Sequence, residues 1–346
     1  MTRHVLALTL GDPVGIGPEI TAKTLAETAG AQGHHGIAVG DPVALRAGAR
    51  AMGLDVEVRV VDAFDVEPAG PGFIDVYDTG VLGDGMPAWG KVDERAGRAA
   101  IASIEVATQA AMERRVAGVV TGPINKEAIW AAGSKHLGHT EMLGELTGVT
   151  QQDTMFVVRN DDAGGHHLRI FFTTRHVSLR KALDQLTKDR ILASIRKAHT
   201  ALEVFGVEKP RLAVAALNPH GGENGAFGDE EIEHIGPACD AARAEGLDVH
   251  GPIPADSVFH QGLVGRFDGV LSQFHDQGHI PAKTFDFDGT ISVTVGLPIL
   301  RTSVDHGTAF DIAGSGKAGH GTMLSAYLAA VDYAPFVDNI RKTYGS

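Results

Sequence analysis

The residues able to do chemistry crowd between Phe274 and Gly316, in FHDQGHIPAKTFDFDGTISVTVGLPILRTSVDHGTAFDIAGSG. His275, Asp276, His279, Lys283, Arg301, Asp305, His306 and Asp311 flank one apolar run, Ile291 to Val295, which Gly296 closes. Imidazoles bind metals or move protons, carboxylates orient a histidine or take a proton, and lysine and arginine hold anions. Such groups on both sides of a short strand suit a ligand cleft in an α/β protein, and equally two polar loops around a core strand.

The elements that must position these groups recur along the chain. Val5 to Leu10 is an apolar run that ends in Gly11-Asp12-Pro13, and GIGPEITAKTLAET follows as a helix. Pro18 suits the first turn of that helix and Glu19 its positive end. Val116 to Val120 runs into TGPINKEAI, which places Thr121, Asn125 and Lys126 at a strand's C-terminal end. His139 and Thr140 stand at a helix start, in GHTEMLGELTG. The strands Leu168 to Phe172, Arg211 to Leu217 and Gly269 to Phe274 are followed by His176, His220 and His275. Three histidines on the ligand-binding edge of one sheet could converge on a metal. The chain has 17 histidines, however, and no short metal-ligand motif joins these three, so three such placements could also arise by chance. Residues 68 to 90 read as irregular, and Gly278 with Pro281 argues against a helix around His275 and His279. Alternating strands and helices predict an α/β architecture.

Composition narrows the function classes. At 346 residues the chain is long enough for two domains. Its formal net charge of −13 argues against nucleic acid and anionic membranes as partners. No apolar run approaches the roughly 20 residues that span a bilayer, and the N-terminus reads as a first strand, so a cytoplasmic location is the expectation. The single cysteine, Cys239, excludes an internal disulfide and a cysteine-based zinc site.

Three motif matches are set aside. Gly314 to Gly319 fits G-x-G-x-x-G without following a strand. FDFDGTI at Phe285 to Ile291 resembles a phosphatase nucleophile motif, but too little chain follows it. His275 and His279 have the spacing of a helical metal pair, on a segment where a helix is not expected.

Taken together, GDPVGIGPEI, TGPINKEAI, GHTE, NPHGGENGAFGDEE, GPIPADSVF, HDQG and GLPILRTSVDHGTAFDIAGSGKA resemble the 4-hydroxythreonine-4-phosphate dehydrogenase (PdxA) family, in order and over nearly the whole chain. The resemblance implies a two-domain fold like that of isocitrate and isopropylmalate dehydrogenases, with the active-site cleft between the domains. One domain would comprise 1–125 with 297–346 and hold both chain ends. The other, 126–296, would carry metal, substrate and dimerisation. The resemblance further implies one divalent metal held by His176, His220 and His275. Substrate contacts would come from His139, Thr140, Lys283, Ser292 and Arg301, and the catalytic candidates are Asp256, Asp276 and Lys283. NAD or NADP would sit on His306, Gly307, Thr308, Ala309 and Asp311. The expected assembly is a homodimer with the site at the interface, and the expected substrate is a small phosphorylated hydroxy acid, oxidised and then decarboxylated. Ser292 and the HDQGHIPAK form depart from the biosynthetic members. They look like a branch acting on threonate or erythronate 4-phosphate, or on related diol acids. A phosphate acyltransferase or a non-catalytic sugar-acid binder is the competing class.

Overall fold

The computed structural model describes residues 3–160 and 166–345. The chain forms two compact units, one of residues 1–153 with 296–346 and one of residues 154–295. The two helices after residue 125 pack on the long alanine-rich helix of the first unit and so belong to it.

The first unit begins with β1 (His4–Thr9), α1 (Gly17–Thr28), β2 (His34–Val39), α2 (Pro42–Ala51), β3 (Glu57–Val61), β4 (Phe73–Tyr77), α3 (Glu94–Met112), β5 (Gly118–Thr121), α4 (Lys126–Ala131) and α5 (His139–Thr147). The second unit holds β6 (Asp153–Val158), β7 (Leu168–Phe172), α6 (Leu179–Asp184), α7 (Lys188–Val204), β8 (Leu212–Ala215), α8 (Gly236–Ala244), β9 (Val249–Ile253), α9 (Ala255–Leu263), β10 (Gly269–Ser272), α10 (His275–Phe285) and β11 (Thr290–Val295). The chain returns to the first unit with β12 (Leu300–Ser303), α11 (Gly321–Tyr333) and α12 (Val337–Tyr344).

In the first unit the strand order is β3-β4-β2-β1-β5-β12, with parallel pairing throughout. Both faces of such a sheet are covered, which is why its strands are near-continuous apolar runs. The core beneath it gathers Ile37, Val39, Ile104, Val119, Ile129 and Leu143. In the second unit the order is β11-β6-β7-β10-β8-β9. There β6 and β7 are antiparallel, and β7, β10, β8 and β9 run parallel.

Two expectations are corrected. Residues 68 to 90 contain β4, which pairs with β2 and β3. Asp75 at its centre hid the strand by interrupting the apolar pattern. Its carboxylate is buried and takes Arg59 through Nε at 2.6 Å and Nη2 at 2.8 Å, with His35 Nε2 at 2.8 Å. Burial alone would raise the Asp75 pKa, and the His35 and Arg59 hydrogen bonds overcome that and lower it. The second correction is α10, which forms in spite of Gly278 and Pro281. Gly278 is required there. A Cβ at this position would lie 2.7 Å from Phe172 Cε1 and 2.9 Å from Ile170 Cγ2, so the missing side chain lets the helix lie directly on β7. Close helix–strand packing offsets the backbone hydrogen bond that Pro281 removes.

The candidate active site

In the first unit, register aligns the ends of three neighbouring strands. Thr121 of β5 stands opposite Thr9 of β1 and Ser303 of β12. The segments that follow, Gly11–Gly17, Gly122–Asn125 and Val304–Asp311, therefore emerge along one C-terminal edge, where α/β sheets bind ligands. Arg301 is 7% exposed and donates to Thr121 Oγ1 through Nε (3.1 Å) and Nη2 (2.7 Å). Thr121 in turn donates to Ser303 Oγ at 2.9 Å. Burial lowers the Arg301 pKa to about 10, so it remains a cation at neutral pH. His139, the first residue of α5, is held well below the usual imidazole pKa, by burial first and the Arg301 charge second. Its Nε2 is buried and has no hydrogen-bond partner. A guanidinium beside a neutral imidazole with an orphaned nitrogen is a donor set for an oxyanion. Thr140 is exposed, and its carbonyl accepts from Gln152.

The proposed nucleotide segment is knitted to the first glycine turn. Ile16 N donates to Thr308 O at 3.0 Å, and Gly90 N donates to Val14 O at 2.9 Å. Ala309 takes a left-handed φ of 42°, and His306 Nδ1 lies 3.0 Å from Gly307 O. Gly307 and Asp311 are exposed. The set-aside Gly314–Gly319 motif serves α1. The carboxylate of Glu19, fully buried, accepts Gly314 N at 2.9 Å and Gly316 N at 2.7 Å, so those amides are filled from within the protein.

Sequence reading passed over Asp12. It is fully buried, Oδ1 accepts Val14 N at 3.0 Å, and Oδ2 has no partner. Burial, outweighing the Val14 hydrogen bond, raises its pKa to about 6. A carboxyl whose folded pKa is raised contributes stability below its ordinary pKa and loses it as pH rises through the folded value. Asp12→Asn is therefore expected to stabilise the protein at pH 8 relative to pH 4, by up to about 3 kcal/mol for a two-unit shift. Denaturant melts at the two pH values check this. An equal effect at both would show that burial of the charge is not what matters.

In the second unit, β10 lies between β7 and β8, with Ser272 opposite Phe172 and Leu271 opposite Val214. His176, His275 and His220 therefore follow three adjacent parallel strands at their C-terminal ends. Two glutamines tie those ends together. Gln273, fully buried, donates to Ala215 O at 2.7 Å and accepts from Thr173 Oγ1 at 3.1 Å. Gln277 donates to Ala216 O at 2.7 Å and accepts Gln273 N at 2.8 Å. The glutamine of HDQG is thus a clamp, a role its place between histidines did not reveal.

His176 and His275 face each other with ring centroids 5.9 Å apart, across a cleft of about 290 Å³ that Thr174, Arg175, Leu179 and Asp276 also line. His275 Nδ1 lies 2.7 Å from Asp276 Oδ1, which leaves Nε2 as the nitrogen for a ligand. His220 sits in a turn where six consecutive residues, His220 to Gly225, have positive φ. Glu231 holds that turn. It accepts Leu217 N (2.7 Å) and Asn218 N (2.8 Å) on one oxygen and Asn218 Nδ2 (2.8 Å) on the other. Burial would raise the Glu231 pKa, and these bonds reverse that and lower it. His176 has φ 29° and His220 φ 55°. Left-handed backbone at residues with side chains costs about 1–2 kcal/mol each and concentrates at functional sites. His176 and His275 are thus together, and among the described residues no group of three or more His, Cys, Asp or Glu is gathered for a metal.

Of the remaining candidates, Lys283 lies late in α10 with Nζ 5.3 Å from the Phe287 ring centroid. Asp256 is exposed in the first turn of α9. Ser292 is buried in β11. Among the described residues, no helix is long and apolar enough to cross a membrane.

A relative from Cutibacterium acnes named "Putative D-threonate 4-phosphate dehydrogenase" is 55% identical, over 98% of this chain and 96% of its own. A crystal structure of 4-hydroxythreonine-4-phosphate dehydrogenase from Klebsiella pneumoniae superposes with TM-score 0.83 at 41% identity, covering 96% of this chain and 99% of that one. A terephthalate 1,2-cis-dihydrodiol dehydrogenase from Burkholderia xenovorans matches with TM-score 0.64 at 30% identity, over 95% and 98% of the two chains. A branched-chain phosphotransacylase from Enterococcus faecalis, 11% identical with TM-score 0.53 over 95% of this chain and 99% of its own, shares the fold alone. Residues 32–330 match the family described as pyridoxal phosphate biosynthetic protein PdxA. With those identities over almost its full length, this chain belongs to the PdxA family, dehydrogenases of CH–OH groups with an isocitrate-dehydrogenase-like α/β fold.

Proposed function

We propose that this protein is a nicotinamide- and divalent-metal-dependent D-threonate 4-phosphate dehydrogenase. The observation that carries the chemistry is the pair of strand-end histidines, His176 and His275, facing each other across a cleft with a carboxylate on one of them. The substrate follows the name of the relative at 55% identity. Two imidazoles with the outer nitrogen of one engaged by Asp276 suit a borderline divalent cation. His176 and His275 would hold it, and His220 is the candidate third ligand. In the expected homodimer a second copy would complete the ligand set.

In the proposed reaction the C–H bond of a secondary alcohol breaks. The carbon would lose a hydride and the hydroxyl a proton to a base, leaving a ketone β to a carboxylate. Breaking the adjacent C–C bond then releases carbon dioxide, and the electron pair left behind as an enolate is protonated. When bound, a divalent cation would supply positive charge at the alcohol oxygen and a nicotinamide would supply the hydride acceptor. The protein's own groups do the remainder. Arg301 and His139 bind and orient an oxyanion, and Arg301 remains charged because its pKa stays at about 10. Lys283, Asp276 and Asp256 are the candidates to move the proton. His306 to Asp311 is the proposed nicotinamide segment.

The test is nicotinamide reduction with threonate 4-phosphate, erythronate 4-phosphate, 4-phosphohydroxythreonine and an unphosphorylated diol acid, each with and without a chelator. Chelator-sensitive turnover of threonate 4-phosphate well above the others is the expected result. Turnover of the unphosphorylated acid alone would overturn the phosphate reading. Absence of nicotinamide binding would overturn the dehydrogenase mechanism.

A further inference from the structure

We propose that His279 is a positioning residue for His275, an inference that rests on the reading of His275 as a metal ligand. The two residues are one helical turn apart on α10, so their side chains share a face. Their rings stack with centroids 3.8 Å apart and an angle of 14° between planes. A ring nitrogen directs its lone pair in the plane of the ring. In two parallel stacked rings those directions run side by side and do not meet on one ion, so the pair is a stack and not a chelate.

His279 is itself fixed from behind. The Phe156 ring of β6 meets it at 4.0 Å and 62°, and the Phe172 ring of β7 lies 5.4 Å away. Phe156 and Phe172 also contact each other edge to face at 5.5 Å. Gly278 permits this arrangement by letting α10 rest on Phe172. His275, by contrast, has a side chain 40% exposed and would sample several rotamers if nothing held it. Asp276 holds its Nδ1 edge, and His279 covers its face. The rigidity of the sheet thus reaches the ligand imidazole through one aromatic ring. In this proposal the positioning falls to the ring face of His279.

The experiment titrates the full-length protein with Co²⁺ and follows its visible d–d absorption, which reports ligand geometry. Wild type, His275→Ala, His279→Ala and His279→Phe are compared, with thermal melts confirming that each is folded. His279→Ala is expected to bind Co²⁺ about tenfold more weakly and with an altered band, as for other groups that orient a metal ligand. His279→Phe, which keeps a ring and has no nitrogen, is expected to return to within about threefold of wild type. Wild-type affinity and spectrum in His279→Ala, or a His279→Phe variant as weak as His279→Ala, would overturn the positioning role while leaving the ligand reading intact. Unchanged Co²⁺ binding in His275→Ala would instead overturn the ligand reading, and this inference with it.

Discussion

Replacing His275 with alanine is expected to lower kcat/KM by about 10³-fold, with loss of bound divalent metal in parallel and little change in melting temperature. The effect on rate is large because metal stabilisation of a developing oxyanion contributes several kcal/mol, and each 1.36 kcal/mol is tenfold. The effect on stability is small because the side chain is 40% exposed and its removal leaves no core cavity. His176→Ala is expected to act in the same direction, and this pair separates function from folding a second way. His176 sits at φ 29°, where glycine is at ease and alanine is not. His176→Gly should therefore be about as inactive as His176→Ala but more stable, by about 1 kcal/mol. Metal content by elemental analysis decides the matter: a His176→Ala protein with wild-type metal would remove this histidine from the ligand set.

Arg301→Lys is expected to lower kcat/KM by about 100-fold, chiefly through KM. The substitution keeps the positive charge and changes its shape. The planar fork of Arg301 places Nε and Nη2 together on Thr121 Oγ1, which fixes the guanidinium at the edge where His139 leaves an unpartnered buried nitrogen. A lysine ammonium is a point charge on a flexible stem and cannot hold that geometry while presenting paired donors to a phosphate or carboxylate. One charge-assisted hydrogen bond contributes about 1.5–3 kcal/mol, enough for the predicted factor. Steady-state kinetics with the phosphorylated acid measure it, and circular dichroism confirms folding. A folded Arg301→Lys protein with unchanged KM would take Arg301 out of the substrate site and leave it as a purely structural partner of Thr121. Inorganic phosphate as a competitive inhibitor, weakened in the same variant, would show which end of the substrate the arginine holds.

Much of this was legible in the residues. Strand–loop–helix repetition showed the α/β class, and the residue pattern alone places His176, His220 and His275 each at the end of a strand. The turn chemistry of GDPVGIGPEI and the order of motifs pointed to the family. These features are local, and local chemistry is what a sequence writes down directly: an apolar run, a glycine where φ is positive, a proline at a first helical turn. Strand β4 was not legible, because the charge that interrupts it, Asp75, is neutralised by Arg59 and His35 from neighbouring strands. Nor was α10, because Gly278 reads as a helix breaker until Phe172 is seen against it.

Only the tertiary structure decided which groups keep company. It brought His275 against His176 and stacked it on His279, it set His220 in a strained turn, and it turned the glycine motif at 314–316 toward Glu19. It also buried Asp12 with one oxygen unpartnered and put Arg301 beside His139, so that burial and a neighbouring charge set their pKa values. The physical reason is the same in each case. Strand order and register are set by burial summed over the whole sheet, and two side chains a hundred residues apart meet only because their strands are neighbours.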